Sequence, residues 1–166
     1  MILGMGTICL GGLSLLTSRQ ILVWRDSETL WANVISREPA PIAYQNLGMA
    51  LAERGNIDGA MTYFREALRL DPDDAEVHND MGAVLLATGK ADEASLHFQQ
   101  ALHHKQNLPN SHYGLGYTFS LKGRVQEAIE EYQAALRLKP DYEAAQRELK
   151  KALALLDKSQ SEPRRQ

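Results

Sequence analysis

The sequence predicts an all-α protein of stacked helical repeats, and three observations carry that prediction. First, Gly48, Gly82 and Gly116 stand 34 residues apart. Second, each lies in the same order of residues. One cycle reads Tyr44, Leu47, Gly48, Leu51, Gly55, Ala60, Phe64, Ala67 and Pro72. The next reads His78, Met81, Gly82, Leu85, Gly89, Ala94, Phe98 and Ala101, and the third His112, Leu115, Gly116, Phe119, Gly123, Ala128, Tyr132, Ala135 and Pro140. Third, apolar residues recur at helical spacing, as in Leu47 and Leu51 and then Met61, Phe64 and Leu68. A fixed period of this size is the signature of a solenoid in which each unit buries its apolar face against its neighbours.

The chain opens with residues 1–18, an uncharged run rich in Ile, Leu, Met and Gly. A bilayer-spanning helix needs about 17–25 predominantly apolar residues. The run, extended through Ile21, Leu22 and Val23 to Trp24 as an interfacial anchor, reads as a transmembrane and juxtamembrane segment over 1–24. A secretory signal is the rival reading. Against it, no Lys or Arg precedes the apolar run and no small-x-small cleavage site is clear.

Residues 25–40 read as a degenerate capping helix. Asp26 or Ser27 can cap it, with Glu28 in its first turn. Counted back from Pro39 as from Pro72, Ser27, Trp31 and Val34 fall where Ala60, Phe64 and Ala67 fall. Three repeats follow, over 41–74, 75–108 and 109–142, with helices expected near 41–54, 57–70, 75–88, 91–104, 109–122 and 125–138. Gly55, Gly89 and Gly123 fall between paired helices, where a helix C-terminus favours a residue that tolerates positive φ. Asp71, Asp73 and Asp74 around Pro72 favour the start of the next helix. Gly48 and Ala60 remove bulk where paired helices meet, and Ala67 does so toward the following repeat. A C-terminal capping helix is expected over 143–156, with Leu149, Leu153 and Leu156 as its stripe. The polar tail 157–166, with Pro163, has a composition that predicts disorder.

The pattern over Pro41 to Tyr142 resembles the tetratricopeptide repeat, whose consensus has an aromatic, Leu-Gly, a large residue, Ala, an aromatic, Ala and Pro. That resemblance implies a right-handed solenoid of three repeats plus capping helices. His78 and His112 depart from the early aromatic, and Gln106 from the closing Pro of the second repeat. Pro109 supplies a stop instead, at a first helical position where its missing N–H costs nothing. The junction Trp24-Arg25-Asp26-Ser27-Glu28-Thr29-Leu30-Trp31 carries a second resemblance, to the C-terminal end of transmembrane O-mannosyltransferases with tetratricopeptide repeats. There a polytopic glycosyltransferase-like module precedes the repeats, so no catalytic residue carries over to this chain.

Composition excludes several functions. A net charge of −3 and a pI near 5.9 disfavour nucleic acid as the partner. The single Cys9 excludes an internal disulfide. No phosphate loop follows a strand and no serine has triad neighbours, so no enzymatic activity and no cofactor are expected. His97, His103 and His104 are spaced i, i+6 and i+7, unlike the i, i+4 pair of a helical zinc site, so no metal is expected either.

What remains is surface. The resemblance implies that the first helix of each repeat lines a concave groove for extended peptides. By repeat position the groove presents Ile42, Gln45, Asn46 and Met49, then Asn79, Asp80 and Ala83, then Asn110, Tyr113, Tyr117 and Ser120. Amides can pair with a peptide backbone, and Tyr and Met can fill gaps around its side chains. One variant of the family clamps a C-terminal carboxylate with Lys, Arg and Asn; these positions hold no Lys or Arg. The expected function is a membrane-tethered interaction scaffold for a protein or peptide partner. Its alternatives are the substrate-presenting part of a membrane glycosyltransferase and an exported adaptor. The side of the membrane stays open: Arg19 and Arg25 hint at a cytoplasmic repeat domain, the glycosyltransferase resemblance at the opposite side.

Overall fold

A computed structural model describes residues 27–161. All eight described elements are helices: α1 Ser27–Arg37, α2 Pro41–Glu53, α3 Ile57–Leu70, α4 Ala75–Ala87, α5 Ala91–His104, α6 Pro109–Leu121, α7 Val125–Leu138 and α8 Glu143–Ser161. They fall into two compact units that divide between Asp71 and Pro72. The segment read as membrane-spanning lies outside the described residues. Among the described residues no helix is long and apolar enough to cross a membrane.

In the first unit, α2 and α3 pair through a contact that only glycine permits. A Cβ on Gly48 would sit 2.7 Å from Cε1 of Phe64, whose ring is fully buried. Ala60 and Ala67, also fully buried, flank that ring in sequence. Pro41 opens α2 at its first turn, and Asn56 caps α3 by accepting from the Gly59 N–H at 3.1 Å. The turn between them needs Gly55, whose φ is +79°. Helix α1 packs on α2, with none of its residues buried and with an exposed Arg54–Glu28 ion pair at 2.7 Å.

The second unit repeats this construction twice. Phe98 of α5 faces Gly82 of α4, and Tyr132 of α7 faces Gly116 of α6; an added Cβ would come within 2.8 Å and 2.9 Å of the two rings. Ala94, Ala101, Ala128 and Ala135 are fully buried beside them. Asp74 starts α4 by accepting from the N–H groups of Glu76 and Val77 at 3.0 and 3.2 Å. Gly114 adds a contact between repeats: its Cβ would lie 2.3 Å from Cζ of Phe98, so α6 can approach α5 only without one.

Helix α8 differs from expectation in two respects. It runs to Ser161, because Asp157, Lys158 and Ser159 contain no helix breaker and Pro163 lies beyond. Among its described side chains the buried ones are Ala145 and Ala152, whereas Leu153 is 41% exposed. The face turned inward therefore runs through 145, 149, 152 and 156, and Leu153 flanks it.

Candidate functional site

The seven positions expected to line a groove divide between the two units. In the first, Gln45, Asn46 and Met49 are all half-buried along α2. In the second they have unlike environments. Asn110 is exposed, and Tyr113 and Tyr117 are half-buried on the same helix. Asn79 is only 8% exposed and is spent inside the protein. Its Oδ1 accepts from the buried Ser111 hydroxyl at 2.8 Å, and its Nδ2 donates to Asp80 Oδ1 at 3.3 Å. This amide ties α4 to α6 rather than meeting a ligand. A buried Asn cannot leave its polar atoms unpaired, and Ser111, 32 residues away, is the partner that a single repeat does not reveal.

The tyrosines gather more residues than the sequence reading named. The Tyr113 ring lies 6.3 Å from Tyr117, 6.0 Å from Tyr132 and 5.1 Å from Tyr142, centroid to centroid. Tyr132 closes the back of this cluster with its hydroxyl 3.1 Å from Ser120 Oγ. Burial pushes the Tyr132 phenol up to about 12. Burial likewise raises Tyr113, with the Glu148 carboxylate adding to the effect, and raises Tyr142. All three are neutral hydroxyls at physiological pH.

Helix α8 brings charge to the same place. Arg147 and Lys151 act electrostatically on Tyr113 and oppose Glu148. Lys151 bonds Glu148 at 2.8 Å, and Arg147 approaches Glu143 at 3.6 Å. The 34-residue step from Tyr113 and Tyr117 lands on Arg147 and Lys151, a signal that was available in the sequence. The inner face of the second unit is thus an aromatic and amide surface with a paired, mixed-charge edge. Among the described residues no group of three or more His, Cys, Asp or Glu is placed to hold a metal ion.

Tetratricopeptide-repeat profiles match residues 48–89 and 79–143. Residues 48–143 are tetratricopeptide repeats. A relative in Drosophila melanogaster, the protein O-mannosyl-transferase Tmtc2, is 38% identical over 72 residues, which cover 43% of this chain and 8% of that protein. The chain therefore spans a small part of that relative. Solved tetratricopeptide domains share the fold. The first such domain of Spaghetti, bound to an HSP90 peptide, superposes with a TM-score of 0.68 at 18% identity and covers 70% of this chain and 93% of its own. The Sgt2 domain of Aspergillus fumigatus gives 0.68 at 17% identity, covering 76% of this chain and 86% of its own. The OM64 domain of Arabidopsis gives 0.67 at 19% identity, covering 70% and 96%.

Proposed function

We propose that these tetratricopeptide repeats form an interaction scaffold whose inner helix faces bind an extended polypeptide. The observation that carries this reading is the half-buried tyrosine pair Tyr113 and Tyr117, backed by Tyr132 and Tyr142. Rigid rings with a hydroxyl handle offer contact area at low entropy cost. Exposed Asn110 adds an amide that can pair with peptide backbone. Among the inner positions of α2, α4 and α6, none carries Lys or Arg, and Arg147 and Lys151 of α8 approach carboxylates of their own helix. The surface is therefore built for neutral and apolar contacts rather than for capturing a carboxylate.

The test is selection from a random peptide library against the full chain, followed by titration of a hit at low and high salt. Affinity is expected to fall only slightly with salt, since hydrogen bonds and apolar contacts are screened far less than exposed charge pairs. Tyr113→Ala and Tyr117→Ala are each expected to weaken binding. A hit that both substitutions leave untouched would refute the reading.

The match to an O-mannosyl-transferase favours a second reading, in which these repeats present substrate for a membrane glycosyltransferase. An upstream reading frame, in phase and encoding many spans, would support it. In either case residues 1–18 are proposed to hold the chain to the membrane, so the full chain should resist carbonate extraction.

A further inference from the structure

Four of the five histidines, His78, His97, His103 and His104, lie on one helix pair, α4 and α5. The arrangement at its centre follows the repeat. Residues 44 and 63, 78 and 97, and 112 and 131 are equivalent pairs, each 19 residues apart and 34 residues from the next. In the first repeat the pair is Tyr44 and Tyr63, stacked at 6.2 Å. In the third it is His112 and Glu131, bonded at 2.7 Å, with the other ring nitrogen of His112 bonding the Gln106 carbonyl at 3.0 Å. In the second, Nδ1 of His78 meets Nδ1 of His97 at 3.1 Å.

A contact between two imidazole nitrogens at that distance needs one proton between them, carried by one ring and accepted by the other. Either ring can carry that proton. The pair therefore accommodates one added proton, because a charged ring still donates from Nδ1 to a neutral one. A second added proton places two N–H groups against each other.

The surrounding groups decide how far this is softened. His104 stacks on His78 at 6.0 Å with planes 10° apart, and His103 meets His104 edge-on at 5.1 Å. His104 acts against a charge on His78, while Asp73 and Asp74 favour one. Asp74 is committed to the N–H groups of Glu76 and Val77, Asp73 stands 3.7 Å from His104, and Glu76 is held by Lys105 at 2.8 Å. The His78 ring meets the imidazoles of His97 and His104, whereas His112 meets the Glu131 carboxylate.

We propose that the His78–His97 contact makes the second repeat an acid-sensitive joint, which opens when both rings carry an added proton, while His112 of the third repeat holds more tightly in acid. Burial, which lowers the proton affinity of His78, agrees with this, as does the raised affinity of His112 beside Glu131. The sign follows from linkage. Below about pH 6.5 the opened repeat binds one proton that the closed one excludes, so closing becomes up to about tenfold less favourable per pH unit.

The test is hydrogen exchange of the full chain between pH 7.5 and 5.5, corrected for intrinsic rates and read at the amides of α4 and α5. Their opening constant should rise steeply below pH 6.5, up to about tenfold per unit. The double change His78→Tyr with His97→Tyr, which installs the pair of the first repeat, should abolish that slope. His78→Phe alone should do the same, and serves if the double variant does not fold. A flat profile for the wild-type chain, or a slope that survives in the variants, would overturn the proposal.

Discussion

Replacing Gly114 by Ala tests the closest approach between helices of the second unit. The added methyl would lie 2.3 Å from Cζ of Phe98 and 2.6 Å from both Cε atoms. Phe98 has little room to yield, being 2% exposed, and its ring already sits where a Cβ on Gly82 would come within 2.8 Å. Two effects oppose each other. Ala is favoured over Gly in a helix interior by about 1 kcal/mol. Overpacking a full core costs about 1–3 kcal/mol, and a contact this short belongs at the upper end. The balance is a loss of about 1–2 kcal/mol, or a fall of about 0.5–1 M in the urea midpoint at an m-value near 2 kcal/mol/M. Phe98→Leu supplies the control. It withdraws the ring tip, so the Gly114→Ala penalty should shrink or reverse in that background, with a coupling of about 0.5–3 kcal/mol in a double-mutant cycle. Additive effects, or a stabilised single variant, would refute the assignment of Phe98 as the clashing group.

The remaining predictions concern other links in the same construction. Gly82→Leu should destabilise far more than Lys90→Gln, by about 1–3 kcal/mol against about 0.5 or less, as compared by urea midpoints. Asn79→Ala should cost about 1–3 kcal/mol by leaving the buried Ser111 hydroxyl without its acceptor, and Ser111→Ala should make the same change in Asn79 cheaper in a paired denaturation series. Gly55→Ala should cost about 1–2 kcal/mol although nothing lies within 4 Å of the new methyl, because φ is +79° there; thermal melting reads it. For His112, whose affinity for a proton is raised by Glu131, the stabilisation is fully present below about pH 6.5 and fades as pH rises through the raised folded value. His112→Gln should therefore lower the melting temperature more at pH 5.5 than at pH 8.5.

Much of the fold is legible in the sequence because the period repeats its own tests. Gly48, Gly82 and Gly116 each face a ring at the same offset, so one correct assignment carries the others. Helix bounds follow from Pro41, Asp74, Pro109 and the positive-φ glycines Gly55, Gly89 and Gly123. Gly114 is less visible, since its partner Phe98 belongs to the previous repeat and no other cycle has glycine at that position. The end of α8 is misread for a different reason. Polar residues without a breaker extend a helix that packing has already nucleated, so composition alone misjudges 157–161. Within the site, Tyr113 and Tyr117 follow from repeat position. Asn79 shows the limit of that reasoning, because position predicts an inner face but not whether a neighbour such as Ser111 takes the amide first. Tyr142, Arg147 and Lys151 come from α8, which the sequence reading treats only as a cap.

Amide chemical-shift mapping of the full chain, titrated with a selected peptide, tests the inner-face reading most directly. The expected shifts lie on α2 in the first unit and, in the second, on α4, α6 and the facing edge of α8, largest around Asn110, Tyr113 and Tyr117. Shifts concentrated on the exposed positions of α5 and α7, such as Leu96, Gln99, Gln126 and Glu130, would contradict it and move recognition to the outer helices.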